Sequence, residues 1–182
     1  MRVLLATAAA VLLLAGCTSG AATGSAPSTT SSPFGACPAV SGGDTELPDV
    51  TLTCFNGGGK VRLADLSGPA VINIWASSCA PCRTELPLVQ KLADRTAGKL
   101  TVLGVASRDR DSAAASFGAV HGISLPTLSD PEAELAGRIG AISLPSTVFI
   151  NADGKMHVHR YAMDAADLTE QLREHTGLQV DL

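Results

Sequence analysis

Cys79 and Cys82 stand three residues apart in the run Trp75-Ala76-Ser77-Ser78-Cys79-Ala80-Pro81-Cys82, directly after the apolar stretch Ala70-Val71-Ile72-Asn73-Ile74. That order puts Cys79 where a buried strand ends and a helix begins. The first N–H groups of a helix lack partners and carry partial positive charge, so a sulfur there is more acidic than a free thiol, whose pKa is about 8.5. Positions i and i+3 of a helix place their Cα atoms about 5 Å apart, inside the window for a bridge. The chemistry this allows is thiol–disulfide exchange, which needs a thiolate attacker, a resolving thiol and access. Cys79, at the helix start and nearer the surface, is the attacker, and Cys82 is the resolver. Proton traffic to Cys82 needs a base. Asn73 on the buried strand cannot titrate, whereas Glu85, one turn past Cys82, can.

Two other readings of the pair stand beside this one. It could be half of a zinc site, but no second Cys-x-x-Cys or His-x-x-x-His completes one. His157 and His159 alternate along an expected strand and so share a face, yet paired histidines on an exposed hairpin are more often simply solvated. No metal and no cofactor is expected. The pair could also be only a staple in an exported domain.

The elements that must position these residues follow from periodicity and punctuation. Residues 50–53 and 60–63 flank Asn56-Gly57-Gly58-Gly59, a hairpin signal. Residues 70–76 form a buried strand, and residues 80–96 a helix with Pro81 in its first turn and a kink expected at Pro87. Residues 100–106 form a second apolar strand; runs of this kind joined by a helix argue for parallel strands covered on both faces. A helix over 111–120 and a short extended piece at 125–128 come next. A helix over 131–139 follows, capped by Asp130 with Pro131 at its first position. A strand at 147–150, a turn at Asn151-Ala152-Asp153-Gly154, an antiparallel strand at 155–161 and a final helix over 164–176 complete the order. Pro145 opens the first of those two strands, where its missing N–H costs no ladder bond.

The N-terminal segment is of a different kind. Met1-Arg2 precedes thirteen uncharged residues, 3–15, too few for the ~20 that span a bilayer. They suit a secretory signal over residues 1–16. Its end, Leu14-Ala15-Gly16-Cys17, resembles the lipobox of bacterial lipoproteins, which implies that Cys17 becomes the lipid anchor. Residues 18–33 contain only Thr, Ser, Gly, Ala and Pro. With Cys17 they make a flexible linker, 17–33, that spans about 20–25 Å as a random coil. From residue 34 to 182 the composition suits one domain with one core. The net charge of −4, with no basic cluster, argues against nucleic acid as a partner.

With Cys17 spent on lipid, four cysteines remain in an exported and therefore oxidising setting. The short spacing of Cys79 and Cys82 selects that pair as the redox disulfide and leaves Cys37 with Cys54. Neither of the latter sits at a helix start, so Cys37–Cys54 is read as a structural staple, with a second, relaying redox pair as its functional alternative.

Trp75-Ala-x-x-Cys-x-Pro-Cys82, Arg83-x-Glu-Leu-Pro87 and Leu144-Pro-Ser-Thr-Val-Phe-Ile-Asn-Ala-Asp-Gly154 together resemble the TlpA/ResA/DsbE-like branch of the thioredoxin superfamily, over about residues 45–175. The resemblance implies an α/β thioredoxin fold: a central mixed sheet flanked by helices, with an extra N-terminal hairpin and a helical insert near residues 110–140. It implies that Cys79 is the nucleophile, Cys82 the resolver and Glu85 the active-site acid. It also implies that Pro145 is a cis-proline facing the disulfide, so that Trp75, Leu144 and Pro145 form the substrate-binding side. Asn73 sits where ordinary thioredoxins hold a buried aspartate. The departure from the pattern is Ser78, where the branch usually has Trp before the first cysteine.

The function implied is a lipid-anchored oxidoreductase on the outer face of the cytoplasmic membrane. It would be a monomer, act on exported protein thiols and disulfides, and exchange electrons with a membrane donor or acceptor of thiols. Ala80-Pro81 between the cysteines resembles the reducing members, some of which reduce apocytochrome c. An oxidase or isomerase of secreted proteins is the runner-up. A non-catalytic thioredoxin-fold binding lipoprotein is opposed by the presence of both cysteines with Glu85 and Pro145. A peroxidase of the peroxiredoxin type would need a Thr-x-x-Cys site that Ser78-Cys79 does not supply.

Overall fold

The computed structural model describes residues 32–182. The expected signal, the lipobox with Cys17 and the linker as far as residue 31 lie outside the described residues.

The hairpin signal gives β1 (Thr51–Cys54) and β2 (Lys60–Arg62), antiparallel, with Gly57 and Gly59 at positive φ in the turn between them. The uncharged run that follows becomes β3 (Ala70–Trp75), buried at every position. Helix α1 (Ala80–Arg95) continues through Pro87. Next come β4 (Thr101–Ser107) and α2 (Asp111–His121), and then β5 (Thr127–Asp130) and α3 (Glu134–Arg138). The chain closes with β6 (Ser146–Ile150), β7 (Met156–His159) and α4 (Ala165–Thr176).

The seven strands form one sheet in the order β2-β1-β5-β4-β3-β6-β7. β3, β4 and β5 are parallel; β1 runs antiparallel to β5, and β6 antiparallel to β3 and β7. This is the mixed thioredoxin-like sheet with an added N-terminal hairpin. The insert is more than helical: its strand β5 sits between β1 and β4 and is what joins the hairpin to the central sheet.

Alternation along β3 divides the core in two. Ala70, Ile72 and Ile74 face one layer, with Leu135 and Ala136 of α3 and the hairpin residues Leu52 and Val61. Val71 and Trp75 face the other, with Leu86, Val89 and Leu92 of α1, Phe117 of α2, and Leu168 and Leu172 of α4. Asn73 lies between Val71 and Trp75 and therefore beneath α1. Gly104 on β4 gives the indole room: a Cβ there would stand 3.1 Å from Trp75 Nε1 and 2.8 Å from Thr127 Oγ1.

Two expectations are corrected. Helix α3 starts at Glu134, not Pro131, because Ala133 takes a left-handed φ of 55° and breaks the run. Asp130 instead ends β5, and its carboxylate accepts from the N–H groups of Glu134 (2.7 Å) and Leu135 (3.3 Å), so it caps the helix from farther back. The strand expected over 155–161 ends at His159. His157 and His159 do alternate along β7, and His157 also stacks on His175 of α4, 3.6 Å between ring centroids.

Candidate active site

Strand β3 ends at Trp75, and the chain makes one tight loop before α1. Cys79 is the N-cap: its N–H donates to the Ala76 carbonyl (3.1 Å), and its Sγ accepts from the Cys82 N–H (3.3 Å). The two sulfurs are bridged, with Cα atoms 5.3 Å apart. Cys79 is partly exposed and Cys82 buried, while Ser78, Ala80 and Pro81 face solvent. The sulfur that an outside group can reach is thus also the one that accepts a helix N-terminal N–H. That geometry favours its thiolate once the bridge opens.

The loop is pinned by a residue that sequence reasoning missed. The Asp109 carboxylate accepts from the Ser77 backbone N–H (2.5 Å) and from Ser77 Oγ (3.0 Å), tying the loop after β3 to the loop after β4. Only the pairing of these two parallel strands, with Trp75 opposite Ala106, brings residues 32 apart together.

Glu85 is 1% exposed. Its Oε1 accepts from Asn73 Nδ2 (2.7 Å) and Thr147 Oγ1 (3.3 Å), and its Oε2 from the Met163 N–H (2.7 Å). Burial pushes the carboxyl above its ordinary range, and the Met163, Asn73 and Thr147 hydrogen bonds pull it back only in part. A buried acid with a raised pKa, held on α1 one turn from Cys82, is a candidate proton carrier.

The Leu144–Pro145 bond is cis. Ser146 pairs with Ile74 across β6 and β3, which puts Pro145 level with Trp75 at the end of the sheet that carries the disulfide. Leu144 packs against both core layers. Thr147 pairs with His159, which brings Tyr161 to the same end. Tyr161 is 76% exposed and Ile142 89% exposed, and neither stood out in the sequence. A hydrogen bond from Ser143 Oγ to the Arg160 carbonyl (3.2 Å) holds their two loops together.

Trp75 is corrected. It is 0% exposed, packed among Phe34, Phe117 and α1, and cannot touch an incoming substrate. It is the floor under the disulfide loop.

The second bridge, Cys37–Cys54, is formed, with Cα atoms 6.1 Å apart. Cys54 is a buried β1 residue in the other core layer, away from α1. Among the described residues, no group of three or more His, Cys, Asp or Glu side chains could hold a metal ion, and no helix is long and apolar enough to cross a membrane.

Comparison with known proteins follows the same lines. The chain is 38% identical over 109 residues to a thiol:disulfide interchange protein DsbE homolog of Paracoccus denitrificans, covering 57% of this chain and 58% of that one. Against the curated relatives it matches first, the chain spans 58 to 65% of their length. A secreted Mycobacterium tuberculosis disulfide oxidoreductase, described as homologous to Escherichia coli DsbE, superposes with a TM-score of 0.63 at 25% identity, over 69% of this chain and 96% of that one. The exposed lipoprotein thioredoxin Etrx1 of Streptococcus pneumoniae superposes with a TM-score of 0.58 at 28% identity, over 70% and 99%. The AhpC/TSA family profile matches residues 44–159. With that match spanning the hairpin, the disulfide loop and the cis-proline strand, the chain belongs to the AhpC/TSA family.

Proposed function

We propose that the chain is a thiol–disulfide oxidoreductase of exported proteins, held by a lipid on Cys17 to the outer face of the cytoplasmic membrane. The observation that carries the chemistry is the Cys79–Cys82 bridge at the start of α1, with its outer sulfur partly exposed and a buried acid one turn inside. The lipobox pattern and the charge-free linker support the tether, as does the likeness to a lipoprotein thioredoxin.

In the reducing direction the reaction starts from the open dithiol. The Cys79 thiolate attacks one sulfur of a substrate disulfide; a Cys79–substrate bond forms, and the other substrate sulfur leaves as a thiolate and takes a proton. Glu85 takes the proton of the Cys82 thiol. The Cys82 thiolate attacks Cys79, forms the Cys79–Cys82 bridge, and releases the second substrate sulfur, to which the proton is returned. Two electrons pass to the substrate, and a membrane thiol donor must restore the dithiol. Leu144, ahead of Pro145, offers backbone groups to an extended substrate segment, and Ile142 and Tyr161 offer it apolar contact. Disulfide-bonded apocytochrome c is one substrate of fitting chemistry, since its cysteines must be reduced before haem attachment.

Two measurements test this reading. Insulin reduction should vanish in Cys79→Ser, and unchanged turnover would sink it. The potential of the Cys79–Cys82 pair sets the direction: a value near ~−270 mV marks a reductant, whereas one near ~−120 mV turns the proposal to oxidation of secreted proteins.

A further inference from the structure

Three elements converge on the Glu85 carboxylate, and every group they bring is a donor. Asn73 on β3 and Thr147 on β6 are register partners across the sheet. Met163, between β7 and α4, supplies its backbone N–H. Asn73 Nδ2 reaches both Glu85 Oε1 (2.7 Å) and Thr147 Oγ1 (3.0 Å). Its other amide atom, Oδ1, is buried and has no hydrogen-bond partner. A buried acceptor left without a donor is costly and calls for an explanation.

This donor set suits an ionised carboxylate: for a protonated one, the acceptor within reach is the Thr147 hydroxyl, 3.3 Å from Oε1. A proton on Oε1 would point at the amide hydrogens of Asn73, and a proton on Oε2 at the Met163 N–H. A half-turn of the Asn73 amide removes the conflict, because its oxygen and nitrogen have nearly the same shape. Oδ1 then takes the place of Nδ2, 2.7 Å from Oε1, and accepts the hydrogen bond of the new carboxylic acid. The Thr147 hydroxyl, 3.0 Å from the same place, turns to donate to Oδ1 as well. The heavy-atom positions are kept in both states: in the turned one the oxygen has two partners, and the amide nitrogen takes the place that had none.

We propose that Asn73 is a positioning residue whose side-chain amide turns over with the protonation of Glu85, so that the buried acid gains and loses a proton without leaving its cradle. The proposal rests on the reading of Glu85 as the proton carrier for Cys82. In the resolving step the Cys82 thiol loses its proton to Glu85 Oε1, and the amide turns its oxygen inward. When the proton passes to the released substrate thiolate, the amide turns back. No ionised side chain shares in this: the groups that shift the Glu85 carboxyl are burial itself, the Met163 N–H, Asn73 and Thr147. The charged residues of α1, Arg83, Lys91, Asp94 and Arg95, are not among those groups, and Cys79 at its cap and Cys82 become titratable once the bridge is open. An aspartate at position 73 could not do the same work, since it would bring a second carboxylate to within hydrogen-bond distance of the first.

The test is nuclear magnetic resonance of the full, reduced chain, with label in the Asn73 side-chain amide and the Glu85 carboxyl carbon. The Asn73 amide signals are expected to move between two plateaus with the same midpoint as the Glu85 carboxyl signal, and to lose that step in Glu85→Gln. Asn73 signals that stay flat while Glu85 titrates, or that keep their step in Glu85→Gln, overturn the proposal. A second arm uses Asn73→Leu. An amide that turns bonds both states of the acid, so its loss should move the Glu85 midpoint by less than about one unit, a tenfold change in proton affinity; a rise well beyond that marks an amide locked with its nitrogen inward and overturns it. Failure of the underlying reading looks different: the pH dependence of disulfide exchange would be the same in Glu85→Gln as in the unaltered chain, whatever the Asn73 signals do.

Discussion

The two disulfides of this protein differ in what surrounds them more than in what they are. Cys79–Cys82 closes three residues of sequence at a helix N-terminus, with one cysteine partly exposed and the other buried one turn before a buried acid. Cys37–Cys54 closes seventeen, from the segment ahead of the sheet to a buried position on β1, in the opposite core layer. The first has an N–H dipole on its outer sulfur and Glu85 one turn inside. The second has neither, and its strand is covered by β2 on one side and β5 on the other. Reactivity follows access and the stabilisation of a thiolate. Stabilisation by a cross-link follows the length of chain it closes. The two bridges are therefore suited to opposite tasks, chemistry and fold.

The sharpest way to break that comparison is to remove one bridge and look for the other's effect. Cys79→Ser should take insulin reduction to background, while the cooperative unfolding transition, followed by the fluorescence of Trp75, persists. Replacing Cys37 and Cys54 together by Ala should do the reverse. It should lower the unfolding free energy by about 3 kcal/mol, read from urea midpoints, and leave turnover intact wherever the protein is folded. A folded double variant that has lost turnover would make the second bridge a relay. Glu85 belongs to the redox side but carries a stability signature of its own. Its carboxyl titrates higher in the folded chain than in the unfolded one, so its contribution is fully present below the unfolded value and is lost as pH rises through the folded value. The stability of the oxidised protein should thus fall with rising pH across that interval, and Glu85→Gln should flatten the fall. The smallest effect is expected at the rim. Ile142→Ser should raise KM for a protein disulfide about fivefold, the equivalent of ~1 kcal/mol of apolar contact, with no change toward a small-molecule disulfide.

The candidate site was legible in the sequence wherever chemistry and local structure coincide. Cys79, Cys82 and Glu85 fall on one helix, so their spacing alone brings them together. Leu144-Pro145 is marked by its own motif. The cradle was not legible in the same way. Asn73 was noticed as a residue that cannot titrate, in the place of a buried aspartate, but nothing in its neighbourhood says that Thr147 will lie across from it. Asp109 was missed for the same reason: its partner, Ser77, is reached through a parallel strand pair, which leaves no local pattern. Trp75 misled because its place in a motif says nothing about which face of the strand it takes. The start of α3 was misplaced because Asp130 and Pro131 are sound local signals, which a turn through Ala133 overrides.

By itself, the sequence determined which two sulfurs lie within bridging reach at a helix start, which helix carries them, how the four cysteines of the domain pair, and the order of elements around them. These depend on covalent spacing and on apolar period, both local. The tertiary structure alone decided that Glu85 is held by donors from β3, β6 and the approach to α4, that Trp75 is floor and not surface, and that Tyr161 and Ile142 share the end of the sheet with the disulfide. Those facts depend on strand register, and register is a property of pairs of segments far apart in the chain, set by the packing of the whole sheet.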